Sequence, residues 1–92
     1  MSESLEWFKD VARVRGLKIT HSEPDLSYII YWTSNEGYRH RLFYHYGCKR
    51  IYVILDDDIK NNGDAAYELG GVDSVEKHIF DKYIEMVFRR WP

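Results

Sequence analysis

The sequence predicts an α+β domain in which an antiparallel sheet of four or five strands is flanked by an N-terminal and a C-terminal helix, in two layers. Apolar stripes with the helical period lie near both ends of the chain, and two-residue alternation broken by turn signals fills the middle. At 92 residues, with 45% hydrophobic and 30% charged residues, the chain suits one domain spanning 1–92 with a single modest core.

The first helix is predicted over residues 4–15. Ser4 is a suitable N-cap, the apolar side chains that follow recur at three- and four-residue spacing, and Gly16 can end the helix in the left-handed conformation. Residues 17–22 alternate between apolar and polar, which predicts a short edge strand. The polar stretch 23–25, with proline at its centre, then breaks the chain.

Three further strands are predicted over residues 26–33, 38–46 and 49–55. They are rich in β-branched and aromatic residues, and short connections join them: a turn at 34–37, then Gly47 and Cys48. Strands joined so tightly form an antiparallel meander.

Strand alternation assigns these residues to two faces. The set predicted to pack against the helices is Ile30, Trp32, Leu42, Tyr44, Ile51, Val53 and Leu55. The opposite set is aromatic and basic, and it is too apolar to be fully solvated; it comprises Ile29, Tyr31, Arg39, Arg41, Phe43, His45, Tyr52 and Ile54.

The rest of the chain contains an acidic segment and the second helix. Three consecutive aspartates precede an Asn-Gly turn signal, residues 65–69 are a candidate fifth strand, and Asp73 with Glu76 has the spacing of a capping box. A wide apolar stripe with the helical period then predicts a helix over 74–90.

Charge is distributed unevenly along the chain, although the net value is only −2. Residues 38–50 contain four basic and no acidic side chains, whereas residues 51–76 contain seven acidic side chains against Lys60. We therefore expect a dipolar molecule that meets a charged partner. The chain has a single cysteine, no long apolar run and no secretion signal at the N-terminus. These features favour a cytoplasmic protein without a membrane segment.

Catalysis, metal binding and cofactor binding have little support in the sequence. Cys48 lies at a predicted turn with no nucleophile motif around it, and alternation places His40 and His45 on opposite faces of one strand. Residues 56–61 lack the alternate acceptors and the central glycine of an EF-hand loop. We therefore expect no enzyme activity, no metal and no cofactor.

Two surfaces are candidates for binding a macromolecule. The first is the acidic turn, which offers carboxylates and accessible backbone to a basic cleft; its residues are Asp56, Asp57, Asp58, Asn62, Gly63 and Asp64. The second is a basic and aromatic sheet face, which has the chemistry of a nucleic-acid stacking platform; its residues are Tyr31, Arg39, Arg41, Phe43 and Tyr52. A pI near 6.0 argues against nucleic-acid binding by this face. The alternative is that a loop, or a second copy of the protein in a homodimer, covers it.

One further pattern runs through most of the chain. It comprises the aromatic strand end Tyr31, Trp32 and Thr33, the turn 34–37, Tyr38 and Arg39, the strand 51–55, Tyr67 and Leu69, and the helix 74–80 with Phe88 and Arg89. This pattern resembles the actinobacterial immunity proteins related to the antitoxin of the tuberculosis necrotizing toxin, an NAD glycohydrolase. The resemblance implies a bacterial cytosolic, non-enzymatic protein that binds a cognate toxin and occludes the NAD-binding cleft of that toxin. From the acidic turn we expect the toxin to have a basic cleft.

Overall fold

The computed structural model describes residues 3–55 and 66–92, and it has the predicted α+β architecture. In chain order the elements are α1 (Glu3–Arg15), β1 (Lys18–Ser22), β2 (Ser27–Thr33), β3 (Arg39–His45), β4 (Arg50–Leu55), β5 (Ala66–Gly70) and α2 (Lys77–Arg90). The five strands form one antiparallel sheet in the order β1-β2-β3-β4-β5. The described residues thus include a fifth strand, β5, for which the sequence offered residues 65–69 as a candidate.

The core lies between one face of the sheet and both helices. Side chains from β2, β3 and β4 meet those from α1 and α2 there, including Phe8, Leu42 and Ile51, each with no exposed surface. The core set predicted from strand alternation is confirmed, because six of its members are buried in this cluster and Leu55 packs against it.

The start of α1 differs from the prediction. Ser4 is not an N-cap, because the helix already includes Glu3 and Ser4 lies inside it, 1% exposed. Its hydroxyl donates to the carbonyl oxygen of Val72 at 2.7 Å and lies 2.7 Å from the Tyr44 hydroxyl. Ser4 therefore joins α1 to β3 and to the connection before α2. Gly16 ends α1 as predicted, with φ of +64°.

The start of α2 also differs from the prediction. The helix begins at Lys77 rather than near residue 74, and Glu76 is the N-cap residue with no side-chain cap hydrogen bond. The predicted capping box of Asp73 and Glu76 is wrong, because the Asp73 carboxylate lies 2.7 Å from the Lys49 ammonium. Val72, 1% exposed, pulls this connection into the core before the helix starts.

The last described residues close the end of the sheet where β2 and β3 are joined. The Trp32 indole donates to the carbonyl oxygen of Trp91 at 3.0 Å, and the ring of buried His40 stacks on Trp32 and contacts Trp91. His40 therefore belongs to the core side, opposite His45, as the alternation predicted.

Candidate binding face

The face of the sheet that points away from both helices is called here the second face. Residues paired across antiparallel strands share a face, so the observed register defines its members. On the described strands they are Lys18, Thr20, Ser22, Ser27, Ile29, Tyr31, Thr33, Arg39, Arg41, Phe43, His45, Arg50, Tyr52, Ile54, Glu68 and Gly70. All eight residues that alternation assigned to this face are among them.

A layer of aromatic side chains forms the middle of the second face. Phe43 and Tyr52 face each other across β3 and β4, with ring centroids 5.1 Å apart and planes 10° from parallel. The Arg41 guanidinium lies over the Phe43 ring at 5.4 Å, and the Lys18 ammonium lies over the Tyr31 ring at 5.6 Å. Lys18 and Arg41 thus each have a ring beneath the charged group, which limits its motion.

The side chains of the second face differ in how much of their surface is exposed to solvent. Ile29 and Phe43 are 4% and 6% exposed, although both described helices pack on the other side of the sheet. Tyr31, Arg41 and Tyr52 are half-buried and retain accessible surface. Side chains that keep an apolar body and a polar tip in this state are typical of contact surfaces.

The second face is strongly basic. Its described strand residues include four basic side chains, Lys18, Arg39, Arg41 and Arg50, and one acidic side chain, Glu68, hence a formal charge of +3 on the strands, and the Asp25 carboxylate lies near one end of this face. The whole chain has a net charge of −2, so the remainder carries −5. Arg50 and Glu68 form an ion pair at 3.5 Å, with both side chains about half exposed.

Burial and the groups around Tyr52 keep its phenol neutral. Burial, the Cys48 thiol and nearby carboxylates raise the pKa of Tyr52, so the phenol remains a hydrogen-bond donor at neutral pH. The Nδ1 atom of His45 accepts a hydrogen bond of 3.0 Å from the backbone N–H of Cys48.

A second candidate site lies on the helix side, at the end of the sheet near the first turn of α1. A groove of about 400 Å³ is lined there by Leu5, His21, Tyr28, Tyr44, Tyr46, Lys49 and Asp73. His21 stacks on Tyr28 with ring centroids 4.4 Å apart, and its Nε2 atom lies 2.9 Å from the Tyr46 hydroxyl. The sequence did not indicate this groove, because its lining residues come from α1, three strands and two connections.

A third groove, of about 410 Å³, separates α1 from α2. Trp7, Val11, Phe80 and Ile84 supply its apolar lining, and charged residues of both helices surround it. Its charged rim carries both signs and includes the pair of Lys77 and Asp81 at 3.0 Å. This balance gives the groove no preference for a partner of either charge.

Cys48, the acidic turn and the possible metal ligands were the other candidates from the sequence. Cys48 is exposed in the turn between β3 and β4, as predicted. The acidic turn predicted as a contact surface, Asp56, Asp57, Asp58, Asn62, Gly63 and Asp64, lies outside the described residues. Within residues 3–55 and 66–92, no group of three or more His, Cys, Asp or Glu side chains is arranged to hold a metal ion.

Sequence reasoning missed three charged members of the second face. Arg50 lies two residues before Tyr52 on the same strand, so alternation could have identified it. Lys18 and Glu68 require the register of the two edge strands, and β5 is displaced by an irregularity between Ile51 and Val53 of its partner strand. Their assignment therefore depended on the structure.

Comparison with known proteins gives no relative for this chain: no family model, curated protein or solved structure matches it. Neither described helix is long and apolar enough to cross a membrane.

Proposed function

We propose that this chain is a non-enzymatic bacterial immunity protein that binds a cognate toxin enzyme and occludes its active cleft. Its resemblance to the antitoxin of the tuberculosis necrotizing toxin suggests an NAD glycohydrolase as that enzyme. The protein acts by stoichiometric binding and uses no cofactor. An exposed cysteine suits a reducing compartment, so we place the protein in the cytoplasm with its target.

Charge segregation is the observation that carries this proposal. Residues 38–50 contain four basic and no acidic side chains, whereas residues 51–76 contain seven acidic side chains and one lysine. Surfaces of opposite sign on one small protein speed its association with a partner of complementary pattern and reject partners of the wrong pattern. Such a distribution suits an inhibitor that must capture one enzyme quickly and selectively.

Within this proposal the acidic turn enters the basic cleft of the toxin. The contact residues are those predicted from the sequence: Asp56, Asp57, Asp58, Asn62, Gly63 and Asp64. Carboxylates placed in a basic cleft exclude an anionic substrate by occupying its charge-binding groups.

The test of the function is rescue and inhibition. Co-expression with the toxin encoded beside this gene should restore growth, and the purified protein should abolish NAD hydrolysis at one equivalent. Replacement of Asp56, Asp57 and Asp58 by Lys should slow association, while reversal of Glu3, Glu36 and Glu85, three exposed acids elsewhere, should change it little. Failure of the wild-type protein to rescue or inhibit would refute the proposed function.

Nucleic-acid binding is the second candidate function, and the basic charge of the second face is the observation that favours it. Phosphate contacts by Arg39, Arg41 and Lys18 would give an affinity that falls steeply with salt. A gel-shift titration with single-stranded RNA and DNA between about 20 and 200 mM salt tests this candidate. Absence of a shift at the lowest salt concentration would eliminate it.

A further inference from the structure

We propose that β1 is the interface for a second copy of this chain, and that the two β1 strands pair antiparallel about Thr20 to join the two sheets into one. This inference goes beyond the proposed function and does not depend on it, because it concerns an edge of the sheet rather than the acidic turn. The hydrogen bonds come from the backbone, so no charged side chain has to give up a contact within its own chain.

The outer side of β1 is open among the described residues. The strand pairs with β2 through five successive residue pairs, and residues 18–22 make no backbone hydrogen bond to a described residue outside the sheet. None of the five residues is buried. In an antiparallel pair, alternate residues direct their N–H and C=O groups away from the partner strand. β1 therefore presents a row of backbone donors and acceptors on which another strand can form.

The two edges of the sheet differ in regularity. β1 is regular, because its register with β2 has no shift and none of its residues has a positive φ. β5, at the opposite edge, is displaced against β4, and Tyr67 within it has a φ of +52°. Irregularities of this kind disfavour pairing with a further strand. Pairing through β1 would leave only the two irregular β5 edges, so assembly stops at a dimer.

The side chains of β1 favour one register with a second copy. When Thr20 faces Thr20 of the second copy, Lys18 faces Ser22 and Ile19 faces His21. Threonine pairs are favourable across antiparallel strands, whereas like charges directly opposite each other are not. In this register the two lysines lie at opposite ends of the interface, about 14 Å apart. It is also the register that pairs all five residues of both strands.

The charges at the two ends of β1 are complementary in this arrangement. Lys18 begins the strand, Glu23 and Asp25 follow it, and all three are exposed. Antiparallel pairing places the basic start of each strand beside the acidic end of the other, whereas parallel pairing would align like charges. Lys18 can stay over the Tyr31 ring, and Asp25 can keep its hydrogen bond from Ser22, because attraction between opposite charges acts over about a Debye length.

Dilution of an isotope-labelled sample tests this interface directly. We expect the amide signals of β1 to shift between about 50 µM and 1 mM protein, because an interface built on two five-residue strands is small and therefore weak. Sedimentation over the same range should show an equilibrium between monomer and dimer. Amides of alternate β1 residues should exchange more slowly with solvent at the higher concentration.

Charge variants at Thr20 test the register. In self-pairing this position meets itself, so T20K and T20E should each weaken dimerisation by about five- to tenfold. An equimolar mixture of the two variants places opposite charges together and should restore dimerisation to within about threefold of wild type. S74K adds the same charge at an exposed position outside the sheet, so it should stay within about twofold of wild type.

A dispersed spectrum shows that each variant is folded, and the dilution series of the wild-type protein needs no variant at all. A protein that stays monomeric at about 1 mM would refute the interface. Concentration-dependent shifts centred on β3 and β4 would move the dimer to the second face, and shifts centred on the helices would move it to the groove between them. Unchanged dimerisation of T20K and T20E, or no recovery in their mixture, would exclude antiparallel pairing about Thr20.

Discussion

The two faces of the sheet are built from alternate residues of the same strands, yet they differ in burial and in the residues that they contact. On the helix side, Leu42 and Ile51 have no exposed surface and lie among residues of both helices. On the second face, their neighbours Arg41 and Tyr52 are half-buried and stack on or beside Phe43. One β-strand thus places alternate residues in the core beneath the helices and on a face that the described helices leave uncovered, and substitutions should separate the two.

The largest expected effect is on the helix side. Leu42→Ala should lower the free energy of unfolding by about 2 to 5 kcal/mol, because it removes a fully buried side chain and leaves a cavity. Lys18→Ala, at an exposed position of the other face, should cost less than about 1 kcal/mol. Urea denaturation of both variants measures the contrast. Equal losses would mean that the second face also belongs to the stabilising core.

The next effect concerns the hydrogen bonds that join α1 to the rest of the fold. Ser4→Ala removes contacts to the Val72 carbonyl and the Tyr44 hydroxyl, so it should destabilise the protein by about 1 to 3 kcal/mol. Exposed Ser74 provides a control, and its alanine variant should lie within about 0.5 kcal/mol of wild type. A neutral Ser4 variant would show that these bonds form without net benefit.

A buried hydroxyl on α2 should give a change of the opposite sign. The Tyr83 hydroxyl has no hydrogen-bond partner among the described residues, while its side chain is 6% exposed and burial raises its pKa. Tyr83→Phe should therefore leave stability unchanged or increase it by up to about 1 kcal/mol, because an unpaired polar atom is removed from the core. A clear loss in thermal unfolding would reveal a bonded hydroxyl.

The smallest effect is expected for the ion pair on the second face. Arg50 and Glu68 lie 3.5 Å apart and are about half exposed, so their coupling energy in a double-mutant cycle should be below about 1 kcal/mol. A pair that contributes so little to folding is free to exchange partners on binding. A coupling above about 2 kcal/mol would assign the pair to the framework instead.

The sequence predicted the elements and the two faces because both follow from short-range periodicity. Leu42 and Phe43 are correctly separated by alternation alone, and Gly16 marks the end of α1. Positions that depend on tertiary contacts were missed. Ser4 looked like a cap but bonds to Tyr44 and Val72, and Asp73 looked like part of a capping box but pairs with Lys49.

The candidate site shows the same division. Five of its central residues could be predicted from their types and strand positions, whereas Lys18 and Glu68 needed the register of the edge strands. The cluster of His21, Tyr28 and Tyr46 could not be anticipated, since nothing in the local sequence shows that these rings meet.

The most direct test is the affinity of the protein for its cognate toxin, measured by calorimetry and stopped-flow mixing at several salt concentrations. If the acidic turn enters the basic cleft of the toxin, replacement of Asp56, Asp57 and Asp58 by Lys should weaken binding by at least about tenfold, mainly through slower association at low salt, and reversal of Glu3, Glu36 and Glu85 should leave the affinity within about threefold of wild type. Equal affinities for the two triple variants would contradict this account.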